Sequence, residues 1–181
     1  SSMYNGLSPS DGCIGSGAVS LYSAILPTDT GSFKIQKTFT SSTSFTLKTS
    51  YYSDSSCSTE TGYVKYGYKD ITVGAAVTVT LPSGDGPTRP SDPYQVKYSK
   101  LNVITKGNTS LAVTYLNTFG PLGGITHTSG VEQTNPNCCG TLYDIWETRV
   151  IGSNTFLYCA WDPSTTAYPT DWTSNDEINF K

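Results

Sequence analysis

A chain of 181 residues with a formal net charge of -3 and only eleven scattered Lys and Arg residues has no broad positive field, which excludes nucleic acid as an expected partner. Just 14% of the residues are charged and one is a histidine, against thirteen tyrosines and three tryptophans. Acid–base chemistry is thinly supplied and aromatic contact richly so. No apolar run approaches the roughly 18 residues of a membrane-spanning helix, so the chain is expected to be soluble and not membrane-spanning.

The length suits a single domain over residues 1–181, able to bury a sizeable core. The opening Ser1-Ser2-Met3-Tyr4 reads as a mature N-terminus left by cleavage or as an expression remnant. A first strand is expected near Val19 to Leu26. Ser32 to Thr40 then sets Phe33, Ile35 and Phe39 against Lys34, Gln36 and Thr38, the period of two that a half-buried strand requires. Ser44 to Tyr52 repeats it, with Phe45, Leu47 and Tyr51 opposed by Thr46, Lys48 and Ser50, and Ser41-Ser42-Thr43 makes the hairpin connection. Gly62 to Asp70 and Val73 to Leu81 read as two further strands of a meander.

Pro82 to Pro93 is too rich in proline and glycine for a regular element and reads as a long loop at a barrel mouth, with a domain linker as the alternative. Tyr94, Val96 and Tyr98 begin the next strand. Its alternation slips near Lys100, as a bulge would make it do, before Leu101 and Val103. Leu111 to Asn117 is expected to be a strand, and Phe119 to Gly124 a loop leading to a cysteine pair. Leu142 to Ile151 and Thr155 to Trp161 complete the set, and the polar tail over residues 163–181 is expected to be irregular and to wrap the outside.

Five cysteines, Cys13, Cys57, Cys138, Cys139 and Cys159, show no CxxC pair and no zinc-site spacing. Two disulfides and one leftover thiol is the simplest arithmetic, with Cys13 joined to Cys57 and Cys159 to one of Cys138 and Cys139. A leftover thiol could bridge two copies into a homo-oligomer. Disulfides and the glycosylation sequon Asn108-Thr109-Ser110 together point to a secreted, extracellular protein.

About nine short strands in serial order favour an all-β fold, a single antiparallel up-and-down barrel of about 8–9 strands. A β-sandwich is the alternative, without the Cys, Trp, Cys signature of immunoglobulin domains. Tyrosine hydroxyls are poorly suited to a dry, filled core, which favours a cavity inside the barrel.

The run Tyr51-Tyr52-Ser53-Asp54-Ser55-Ser56-Cys57, followed by Gly67-Tyr68, resembles the lipocalin-like barrel domain of the adenomatosis polyposis coli down-regulated family. That family pairs a Tyr-Tyr-x-Asp-x-x-Cys strand end with an earlier cysteine, a position Cys13 would fill, and Cys139-Gly140 resembles a later Cys-Gly step. The family's early Trp-containing segment and the Gly-x-Trp opening of true lipocalins are both missing. The resemblance implies a secreted, ligand-holding β-barrel. Ligands of lipocalin-like barrels in general are lipids, retinoids, bile pigments or carotenoids.

His127, on a Gly-rich loop, would have to serve as the base of any Ser-His-Asp arrangement, and no Gly-x-Ser-x-Gly elbow accompanies it. A ligand-contact role suits it better than a catalytic one. Asp162, Asp171, Asp176 and Glu177 cluster only in sequence, as solvated acids; no metal site and no enzyme is expected. The aromatic residues Tyr51, Tyr52, Tyr66, Tyr68, Tyr98, Tyr115, Trp146 and Trp161 are the candidate binding set. Their stiff faces and polar tips can hold a flat or elongated apolar ligand, a bound lipid or a carotenoid, and no other cofactor is implied. The alternative is a carbohydrate-binding or cell-surface adhesion protein. A lectin needs these rings outside or at loop tips, whereas a carrier needs them inside.

Overall fold

The period-two segments become antiparallel strands in the computed structural model, which describes residues 13–15, 26–79, 92–122, 125–136, 140–160, 163–170 and 177–180. β1 (Ser32–Ser41), β2 (Ser44–Tyr52), β3 (Glu60–Ala76) and β4 (Tyr94–Gly107) form a meander. A helix, α1 (Ser110–Phe119), follows, then β5 (Gln133–Asn135), β6 (Thr141–Ile151), β7 (Asn154–Ala160) and β8 (Glu177–Phe180). Among the described residues these make one sheet in the order β1-β2-β3-β4-β6-β7-β8, with β5 paired onto β4.

The sheet is strongly curled. Four strand spacings separate β1 from β6, about 19 Å in a flat sheet. Yet the rings of Phe39 on β1 and Trp146 on β6 have centroids 5.9 Å apart. Their shared face must therefore be concave, the inner wall of a half-barrel. Register places Phe33, Ile35, Lys37 and Phe39 of β1 on this wall, facing Tyr51, Thr49, Leu47 and Phe45 of β2. Val64, Tyr66 and Tyr68 of β3, Val96 and Tyr98 of β4, and Leu142, Asp144 and Trp146 of β6 continue it.

β1, β2 and their connection lie where the sequence places them. The slip near Lys100 is a register shift: Gly67 pairs with Asn102 and Tyr68 with Lys100, leaving Leu101 between them. The two strands expected from Gly62 to Asp70 and from Val73 to Leu81 are corrected to one, β3, which ends at Ala76. Instead of turning, the chain absorbs the break by register shifts at Lys69/Thr72 and Val73/Ala76, with Asp70 at a φ of 58°. Val77 and Val79 then leave the ladder and cover Ile145 and Tyr158 in a small second core.

The strand expected at Leu111 to Asn117 is corrected to the helix α1. Alternating Leu111, Val113 and Tyr115 suits a strand, but Leu111/Tyr115, Ala112/Leu116 and Tyr115/Phe119 are also four residues apart, and so short a window carries both periods. Capping decides it: the Thr109 side chain accepts a hydrogen bond from the Ala112 N–H, and the N–H of Gly120 closes the other end on the Leu116 carbonyl. Ala112 and Leu116 are buried against the end of the half-barrel. Gly62 and Gly107, paired across β3 and β4, admit this packing; a Cβ on Gly107 would lie 2.9 Å from Val113.

The tail is also more ordered than the sequence suggests. Ser164 exchanges backbone hydrogen bonds with Tyr143, Tyr168 packs edge-on against Tyr143, and β8 adds a strand beside β7. The expected first strand falls largely on residues outside the described set, as do Cys138, Cys139, Trp161 and residues 80–91 of the long loop. Of the N-terminal region, Ile14 pairs with Phe33 at the edge of β1.

Candidate functional site

The inner wall gathers its aromatic rings around Phe45. Phe45 stacks on Tyr68 with centroids 4.5 Å apart and meets Tyr98 and Trp146 edge-on at 5.1 and 5.5 Å. Tyr98 lies 5.6 Å from Trp146, and Phe39, half exposed, closes the group beside Trp146 and Phe45. Strand alternation explains this convergence: each ring occupies an inward register position, and the curl brings five strands to one point.

Two charged groups stand within the rings. The Lys37 ammonium lies 3.8 Å from the Trp146 centroid and 4.5 Å from that of Phe45, a double cation–π contact. Behind them Asp144 is fully enclosed. Its carboxylate accepts four hydrogen bonds of 2.5–2.9 Å, from the Tyr98 hydroxyl, the Trp146 indole N–H, and the backbone N–H groups of Ile145 and Ala160. Burial pushes the Asp144 carboxyl upward in pKa; Lys37 and these donors act against it. Four donors without an acceptor make a surrounding suited to the ionised form. Burial, followed by the charge of Asp144, holds the Tyr98 phenol well above its ordinary value.

A second group lies deeper, under α1. Tyr51 and Tyr115 meet edge-on at 5.9 Å, and burial raises the pKa of both phenols. His127 is buried here. Asn117 Oδ1 accepts from both its backbone N–H and its Nδ1, and the Thr105 hydroxyl pairs with its Nε2 at 2.7 Å. Because Nδ1 donates, Nε2 must accept in the neutral ring, and burial lowers its pKa accordingly. The histidine ties its loop to β4 and α1, with both ring nitrogens engaged by protein groups.

Of the expected binding residues, the wall brings together Tyr66, Tyr68, Tyr98 and Trp146, with Tyr51 and Tyr115 below. Tyr52 follows the inward Tyr51, so alternation sends it to the outer face, where Lys34 sits 5.7 Å from its ring. Cys159, opposite Trp146, is buried on the inner wall. Asn108 links β4 to the helix cap, its amide donating to the Glu60 carbonyl.

The central members Lys37, Phe39, Phe45 and Asp144 are absent from the sequence-based set. Their signal is present in the alternation: Phe33-x-Ile35-x-Lys37-x-Phe39 and Leu142-x-Asp144-x-Trp146 each put one charge on an apolar face. A charge at such a position must be paired or used.

The motif around Asp54 has a physical role of its own. The Asp54 carboxylate collects the N–H groups of Ser56, Ser58 and Thr59 and the Ser56 hydroxyl, which hold its pKa well below the usual carboxylate range. This nest shapes the loop that leaves Cys57 at a φ of 56°, from where it forms the expected disulfide with Cys13 across a Cα–Cα distance of 5.6 Å.

Among the described residues no helix is long and apolar enough to cross a membrane. No known family model matches the chain, and no curated protein is recognisably similar to it.

Proposed function

We propose that the protein is a secreted, non-catalytic carrier. It holds a small apolar ligand, a lipid or a carotenoid-type pigment, against the aromatic inner wall of a lipocalin-like barrel. The observation that carries this reading is the inward convergence of Phe45, Tyr66, Tyr68, Tyr98 and Trp146 on a curled sheet. Flat faces with hydroxyl and indole tips suit an elongated apolar body with oxygenated ends. The contact between Phe39 and Trp146 supports closure of the half-barrel around such a body.

The Asp54 nest and the Cys13–Cys57 disulfide give physical sense to the Tyr-Tyr-x-Asp-x-x-Cys resemblance. They support membership in the lipocalin-like domain family named above. The disulfide supports an oxidising compartment, and with it secretion and use of the Asn108 sequon. Engagement of both His127 nitrogens speaks against a catalytic base. Inward rings also disfavour the carbohydrate-binding alternative. A cleft of about 350 Å³ lined by Lys69, Asp70, Ser99, Lys100, Gly140 and Thr141, among others, has no aromatic residue in its lining on which a sugar could stack.

The test is the visible absorption spectrum of protein from its natural source, with organic extraction and mass spectrometry of the extract. A near-stoichiometric lipid or pigment is expected. A colourless protein whose extract is empty refutes the carrier reading and turns the search to glycan arrays.

A further inference from the structure

The lysines are scattered along the sequence, but the antiparallel register gathers four of them on the convex outer face of β1–β4. Lys34 pairs with Ser50 and Gln36 with Lys48, so Lys34 and Lys48 are diagonal neighbours. Lys48 stands directly opposite Lys65. Lys65 pairs with Ile104 and Tyr63 with Lys106, so Lys65 and Lys106 are diagonal neighbours in turn. Contacts confirm the outward direction: Lys34 lies over Tyr52, and Lys48 lies 4.2 Å from the Tyr63 ring and 2.9 Å from Glu60. The result is an unbroken diagonal of ammonium groups across three strand spacings, about 14 Å. Two carboxylates face it: Glu60 pairs with Lys48, and Glu132 accepts from the Tyr63 hydroxyl. Among the described residues Lys65 and Lys106 make no ion pair. On a chain whose net charge is -3, this face keeps an excess of positive charge.

Like charges directly opposite each other destabilise a sheet, so the Lys48–Lys65 pair works against the fold that holds it. A bound polyanion would remove that repulsion. We propose that this face binds a linear sulfated polysaccharide along the diagonal of Lys34, Lys48, Lys65 and Lys106. A row one side chain wide matches a chain of repeating anionic groups. The next outward row, Thr38, Thr46 and Asn102, offers hydrogen bonds to sugar hydroxyls. Tyr52 is half-buried and Tyr63 buried, each beneath a lysine, so neither is presented to stack a nucleic-acid base. Ile104 in the row is half-buried and gives no apolar anchor for a lipid surface. The Cys13–Cys57 disulfide agrees with the oxidising extracellular space in which such polysaccharides occur. The inference needs no ring for sugar stacking and does not rest on the carrier reading.

The experiment measures the affinity of the full chain for heparin over a series of NaCl concentrations. Counterion release predicts a log–log salt slope of roughly 3 for the native protein, lowered by about one for each lysine removed in Lys65→Gln and Lys106→Gln. The double replacement is expected to weaken binding roughly tenfold or more at physiological salt. Lys65→Arg with Lys106→Arg should keep the affinity, because guanidinium also pairs with sulfate. Lys97→Gln removes an exposed lysine beyond the bulge at Leu101 and should leave it within about twofold. Circular dichroism checks that the variants are folded. Desulfated heparin, a DNA duplex and phosphatidylserine vesicles, tested on native protein, are each expected to bind more weakly than heparin. The proposal is overturned by absence of heparin binding, by a salt slope that the double replacement does not move, or by equal weakening in Lys97→Gln. Any of the three comparison ligands binding as tightly as heparin overturns it as well.

Discussion

Replacing Asp144 by Asn tests the central group without changing its size. The native carboxylate accepts from Tyr98, Trp146, Ile145 and Ala160. An amide keeps one oxygen, able to accept from two of them, and turns an N–H₂ group towards the other two. Two hydrogen bonds to a charged group are lost, at about 1.5–3 kcal/mol each. With the N–H₂ on the Oδ2 side the Tyr98 hydroxyl can turn to accept, but the Trp146 indole N–H is left facing a donor, while Lys37 loses its counter-charge. Removal of a buried charge offsets part of this, because its desolvation no longer has to be met. The expected net loss is about 3–5 kcal/mol, or roughly 6–20 °C in Tm for a domain of this size. Urea unfolding followed by tryptophan fluorescence measures it, with Asp70→Asn, whose native side chain is 67% exposed, as a control expected within about 0.5 kcal/mol. A loss under about 1 kcal/mol for Asp144→Asn would refute the reasoning, since the four-donor nest would then be dispensable.

Three further outcomes are expected. Opening the Cys13–Cys57 bridge by the double replacement with Ser should cost about 4 kcal/mol, from the chain entropy released over a separation of 44 residues; an unchanged urea midpoint would contradict this. The folded-state pKa of Asp54 is depressed, so its contribution is complete above about pH 4 and is lost as the pH falls through the folded value. Asp54→Asn should therefore weaken the protein at neutral pH and flatten its acid unfolding below pH 4, and a parallel acid limb in the two proteins counts against the nest. His127 should titrate by NMR below the 6.5 of a free imidazole, because burial disfavours its charged form; a midpoint at or above that value would mean the ring is hydrated.

Local periodicity reaches far in this chain because one face of each strand is buried, and a period of two is visible wherever that holds. The residues of β1 and β2, the slip at Leu101 and the pairing of Cys13 with Cys57 are legible without coordinates. So is the inward direction of Tyr51, Tyr68 and Tyr98. Legibility fails where two periods fit one short window, as at Ser110–Phe119, and where strain replaces a turn, as at Asp70.

The candidate site divides in the same way. Alternation by itself determines that Lys37 and Asp144 lie on the inner faces of β1 and β6. Four strand spacings separate them, however, and no local pattern records how sharply a sheet curls. The tertiary structure alone decides that Lys37 lies over Trp146, that Trp146 and Tyr98 donate to Asp144, and that His127 is held between Thr105 and Asn117. The physical reason is that pairing and alternation are near-neighbour properties of the backbone. Enclosure of a charge is a property of every strand that closes around it.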